Sequence, residues 1–124
     1  MKKEFVPYEI AIKLKEKGFN LGCLAYFVND QFRLKKYLSS KDANYNSDFT
    51  IGNLFSAPLW QQVIDWFREK HNLIIWVEAR YGFEKKYLWF IHFDVLIKDD
   101  IFDLHIEKYE EARQAAIEHA LTLI

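Results

Sequence analysis

The sequence predicts a single α+β domain spanning residues 1–124. The expected order is helix, hairpin, helix, hairpin, helix, with the helices packed on an antiparallel sheet. Three observations carry that expectation. Residues 56–71 show helical periodicity, 87–97 alternate with the period of a strand, and Asn29-Asp30 and 82–86 place turn chemistry between β-rich runs.

Pro7 opens the first helix, and Gly18 followed by Phe19 reads as its C-terminal stop with a hydrophobic closing contact. Ile10, Ala11 and Leu14 share one face of it, while Glu9, Lys13, Lys15, Glu16 and Lys17 are solvated. Residues 22–28 then read as a strand. Asn29-Asp30 turns it, because both residues tolerate left-handed backbone angles. Gln31 to Leu38 returns as the partner, with Phe32 and Leu34 facing opposite to Arg33 and Lys35, and the Lys35-Lys36 pair suits an edge strand. Residues 39–55 form a long polar loop without apolar period, disordered or functional, and its Tyr45 and Phe49 keep a ligand-closing role open.

The central helix is the strongest folding signal. Ser56 is placed to cap it and Pro58 to occupy its first turn. At 100° per residue, Leu59, Trp60, Val63, Ile64, Trp66 and Phe67 fall on an arc of roughly 160°. Gln61, Gln62, Asp65, Arg68 and Glu69 take the other side. Leu73–Tyr81 and Tyr87–Ile97 follow as a second hairpin. In the latter, Trp89, Ile91, Phe93, Val95 and Ile97 alternate against Leu88, Phe90, His92, Asp94 and Leu96. Both sets are largely apolar, so the strand is expected to be central, covered on both faces or on one by a partner subunit. A last helix runs from about Ile106 to the C-terminus, lined by Tyr109, Ala112, Ala116, Ala120 and Leu123. A faint echo links 16–21 with 69–73, at the two helix ends; helix-end chemistry explains it as well as a duplication does.

Composition bounds the function more than it names it. A chain of 124 residues can bury about two thirds of its unfolded surface. Eleven phenylalanines, seven tyrosines and four tryptophans make up 18% of it, more ring area than a lone domain of this size is expected to hide. A self-associating or protein-binding surface is the favoured reading, against a merely ring-rich core. Tyr45, Phe49, Trp76 and Trp89 are the candidate contact rings. The formal charge of −1 supplies no net attraction for nucleic acid or an anionic membrane. Cys23 stands alone, so no intramolecular disulfide or cysteine metal cage is available, and its apolar neighbours do not activate a thiol. No apolar run approaches the ~18 residues of a membrane span and no signal-peptide core follows Met1, so a cytoplasmic protein is expected.

The segments Glu4–Ala11, Ala57–Gln62, Trp66–Lys70 and Tyr109–Ala112 together resemble small proteins of Bacteroidetes genomes and their phages or prophages. The resemblance covers both ends and the middle, leaving out 39–55. It implies a mobile-element origin and an intracellular setting, and it carries no activity to any residue.

Chemistry has few candidates. His92 and Asp94, two apart on a strand, share a face, and Glu78 could complete a metal-binding or hydrolytic cluster if the hairpin register brings it there. An internal hydrogen-bonded pair is the ordinary alternative. Val77-Glu78-Ala79-Arg80 loosely matches the acidic-x-basic strand of Mg²⁺-dependent nucleases, with Asp48 or Asp65 as the second carboxylate. Arginine replaces the usual lysine, and an alternating solvent-facing strand predicts the same letters. Asp94, Asp99, Asp100 and Asp103 lack calcium-loop spacing and read as a solvated strand-to-helix link. His71 and His119 sit near helix ends, where a cation complements the dipole, and His105 has no motif spacing. Four unclustered glycines make no phosphate cradle, and no cofactor is expected. Lys35, Lys36, Lys41, Lys85 and Lys86 would form a basic patch for a nucleic acid if the two hairpin tips lay together. Edge protection explains the same lysines. The expectation is therefore association without catalysis, with nucleic-acid binding second and a metal-dependent hydrolase third.

Overall fold

Pro7 supplies the extended entry to α1 (Tyr8–Glu16), and Ile10, Ala11 and Leu14 are its buried face. The stop is the one the sequence announces. Gly18 takes a left-handed φ of 87°, Phe19 N–H donates to Leu14 O at 2.9 Å, and Gly18 N–H donates to Lys15 O at 3.1 Å. This paired closure satisfies the last carbonyls of the helix, and the burial of both Phe19 and Leu14 seals it.

The computed structural model describes residues 2–35, 43–46, 53–80, 86–93, 101–106 and 108–124. After α1 come β1 (Ala25–Val28), β2 (Gln31–Leu34) and β3 (Leu54–Ser56), then α2 (Trp60–His71). β4 (Leu73–Arg80), β5 (Lys86–Phe93), β6 (Ile101–Ile106) and α3 (Tyr109–Thr122) complete the chain. The α+β class holds, but each expected hairpin is a three-stranded antiparallel sheet, in the orders β2-β1-β3 and β4-β5-β6. Two compact units result, residues 1–63 and 64–124.

In the first unit, β1 and β2 join through Asn29, at a φ of 55°, and β2 is the edge strand that its charges suggested. β3 lies in what read as loop; at three residues it is too short to show a period. Ser56 belongs to this strand and does not cap α2, because its hydroxyl accepts the Tyr45 backbone N–H at 2.9 Å. The helix begins later, at Trp60, since the residue before Pro58 is steered toward extended backbone. Gln62 performs the capping: its Oε1 accepts the Leu59 N–H at 3.0 Å while its Nε2 donates to Gly22 O at 3.0 Å. The N-terminal segment is tied to the same place, Val6 N–H donating to Pro58 O and Trp60 Nε1–H to Lys3 O, both at 3.0 Å. Phe5, Val6, Phe27, Trp60 and Val63 fill the interior around these bonds.

In the second unit, β5 is central as expected, and α3 packs on β4 and β5. The line Ala112, Ala116, Ala120 is fully buried, which lets the helix approach the sheet closely. Its flank differs from the expected one. Ile117 and Leu121 are buried, whereas Tyr109 and Leu123 are exposed at 41% and 38%. The sequence placed a polar link where β6 forms, and Asp103 lies in that strand with its Cα opposite Trp89. Phe102, Leu104 and Ile106 alternate with Asp103 and His105 as a strand requires, but Asp99, Asp100 and Asp103 made the segment read as a polar link. The final helix correspondingly starts at Tyr109 rather than near Ile106.

Gly18 is the clearest single-residue test of the first unit. A Cβ there meets nothing within 4 Å, so Gly18→Ala suffers only from the left-handed backbone, costing about 1 kcal/mol in denaturant unfolding. Gly18→Asn, a residue that tolerates this backbone, is expected to lose less. In the second unit, Ala116→Leu forces a side chain between α3 and the sheet and is expected to cost ~1–3 kcal/mol by the same measurement.

Candidate functional site

β4 and β5 pair without slippage from Leu73↔Phe93 to Arg80↔Lys86. Directly opposed residues of an antiparallel pair project from the same face, so this register sorts every side chain. Leu73, Ile75 and Val77 share a face with Trp89 and Ile91. That is the α3 face: Trp89 meets the His119 ring at 5.4 Å, and Tyr87 meets Tyr109 edge-on at 6.0 Å. The opposite face carries Ile74, Trp76 and Glu78 from β4 with Leu88, Phe90 and His92 from β5, and Leu88, opposite Glu78, is buried at 5% exposure.

This second face is the candidate site. Trp76 and Phe90 are cross-strand partners whose rings stack at 4.9 Å and 12°, and both are half-exposed. Ile74 beside them is 36% exposed, an aliphatic side chain on an open sheet surface. His92 is exposed with its ring 6.4 Å from Trp76, and Trp76 Nε1–H donates to Glu78 Oε1 at 3.4 Å. An apolar centre is thus bordered by one carboxylate and one imidazole. Such a surface can bury rings against a partner while its polar border stays wet.

The register also decides how the metal candidates are spaced. Glu78 does share a face with His92, but it lies opposite Leu88 whereas His92 lies opposite Ile74. Four residues of strand separate those positions, roughly 13 Å, with the Trp76–Phe90 pair between them. Asp94 lies outside the described residues. Among the described residues no group of three His, Cys, Asp or Glu side chains could hold a metal ion.

The candidate rings are distributed unequally. Trp89 is 6% exposed, on the α3 face, and its buried Nε1–H has no hydrogen-bond partner among the described residues. Tyr45 is half-buried and stacks on Tyr26 at 4.4 Å and 23°, in a segment held by Ser56 and by Asn46, whose Nδ2–H donates to Phe19 O. Phe49 lies outside the described residues, as do Asp48, Asp99, Asp100, Lys36, Lys41 and Lys85. Trp60 and Trp66 are also buried, which leaves Trp76, half-buried, as the tryptophan that is not sealed in a core. Sequence reasoning did not single out Ile74 or Phe90. The signal was present, since both fall two residues from a candidate residue and so share its face.

His71, the last residue of α2, departs from the expected role of a charged helix end. Its ring lies edge-on to Trp66 at 4.7 Å and near Phe67 at 6.0 Å, and its buried Nε2 has no hydrogen-bond partner among the described residues. Burial pushes its pKa below the ordinary 6.5, so the fold holds the neutral ring and forgoes the dipole's preference for a cation.

No family model, curated protein or solved structure matches the chain. Among the described residues, no helix is long and apolar enough to cross a membrane.

His71 ties stability to pH with a definite sign. The unfolded chain takes up a proton as pH falls through 6.5, while the folded chain resists until lower pH. The contribution is therefore complete above 6.5 and is lost progressively below it. Thermal unfolding from neutral to mildly acidic pH is expected to show a falling midpoint, and His71→Phe, which has no proton to gain, is expected to flatten that fall.

Proposed function

We propose that this chain acts by protein association, in the first place with copies of itself, through the Ile74–Trp76–Phe90 face of its second sheet. One observation carries the reading: the stacked pair Trp76 and Phe90 stands half-exposed beside exposed Ile74, on the face opposite α3. Aromatic side chains with a large apolar area and little rotameric freedom are the usual anchors of protein interfaces. The flanking charge argues in the same direction. Glu78 is hydrogen-bonded to Trp76, and a carboxylate bordering a stacking platform disfavours a phosphate backbone. Trp60, Trp66 and Trp89 are buried together with Phe5, Phe19, Phe27 and Phe67, so the association is assigned to this patch rather than to rings in general.

Sedimentation velocity across a concentration series tests the reading. The unaltered chain is expected to associate reversibly, and Trp76→Ala to weaken that association about tenfold or more, the loss of one interface anchor. Circular dichroism checks that the variant stays folded. A chain that remains monomeric at every concentration overturns self-association. Retardation of a nucleic acid at low salt, lost in the same variant, assigns the face to nucleic acid instead.

A further inference from the structure

The open edge of β4 has a property that the face alone does not. We propose that β4 pairs antiparallel with β4 of a second copy about a two-fold axis at Ile75, joining two three-stranded sheets into one of six strands. This rests on the association proposed above and names its geometry. β4 is an eight-residue strand at the end of its sheet, and among the described residues it pairs only with β5. Its backbone groups on the other side form a row that an extended chain can complete.

The chemistry of the strand selects its own copy as that chain. A two-fold axis normal to a sheet keeps each face on its own side, so opposed residues must share parity and the axis must pass through a residue. Centred on Ile75, the pairing sets Leu73 against Val77 and Ile75 against itself on the α3 face, and Ile74 against Trp76 twice on the other. Glu78 then falls opposite Asn72, a neutral polar residue. Centring on Trp76 sets Glu78 against Ile74, centring on Val77 sets it against Trp76, and centring on Glu78 sets two carboxylates face to face. Only the Ile75 axis opposes apolar with apolar from Leu73 to Val77 on both faces. It also extends the candidate site, because each stacked Trp76–Phe90 pair continues into the partner's exposed Ile74.

The edges of the first sheet are built against such pairing, and β3 has only three residues. β2 has four residues, and its exposed Arg33 donates to Gln31 Oε1 at 2.7 Å along the strand. A short, charged edge resists strand addition, and β4, twice its length, carries a single charged residue, Glu78, before Arg80.

Oxidative cross-linking of the full chain tests the register. Opposed residues at the axis sit within disulfide reach, so Ile75→Cys is expected to give a covalent dimer. Glu78→Cys places its two thiols roughly 20 Å apart and is expected to stay monomeric under the same oxidation. Because Ile75 is buried and its replacement perturbs packing, hydrogen exchange on the unaltered chain gives a second readout. The amides of Leu73–Val77 are expected to exchange more slowly as concentration rises. A dimer by sedimentation without the Ile75 cross-link, or cross-linking equally efficient at Glu78→Cys, overturns the edge pairing and leaves association through the face standing. Exchange that does not respond to concentration overturns the edge pairing, and a strict monomer removes both.

Discussion

The unbroken pairing of β4 with β5 decides what each side of the second unit is. Because side chains alternate along a strand, a slip of one residue would turn Trp89 and Ile91 outward and carry Phe90 and His92 toward α3. Trp89 at 6%, Ile91 at 0% and Ile75 at 4% exposure show how much apolar area the native register hides. The slipped alternative would carry the His92 imidazole under the alanine line of α3. That penalty, together with the lost burial, holds the hairpin in place, and the outer patch of Ile74, Trp76 and Phe90 is its by-product.

A second theme is how the helices end. Gly18 and Asn72 both take left-handed backbone, at φ values of 87° and 55°, just after α1 and α2. The similar residues around them therefore reflect a shared way of stopping a helix. They do not extend to a repeated fold, because the strand that follows α1 is central in its sheet and the strand that follows α2 is at an edge.

Legibility in the sequence varied with the length of each signal. The apolar arc of α2, the Gly18-Phe19 stop, the turn at Asn29 and the centrality of β5 were all readable, because each is a local pattern over several residues. The start of α2 was misjudged because Ser56, a good cap in isolation, was already engaged by a backbone N–H eleven residues earlier in the chain. β3 is three residues long, too short to show a period, and β6 sits among Asp99, Asp100 and Asp103, which read as a polar link although Phe102, Leu104 and Ile106 alternate. Of the described candidate rings, burial removed Trp89 from the surface, while Tyr45 stacks on Tyr26 and Trp76 on Phe90, both half-buried.

The amino-acid order was sufficient to set which residues are helical, which alternate, and where the chain reverses, since those depend on neighbours a few positions away. It was also sufficient to show an excess of rings. Which rings stay outside, which polar side chain caps which helix, and how far Glu78 stands from His92 were settled by strand register and by contacts between distant segments. Those contacts are chosen by the burial of whole faces at once, a quantity that no short window of sequence contains.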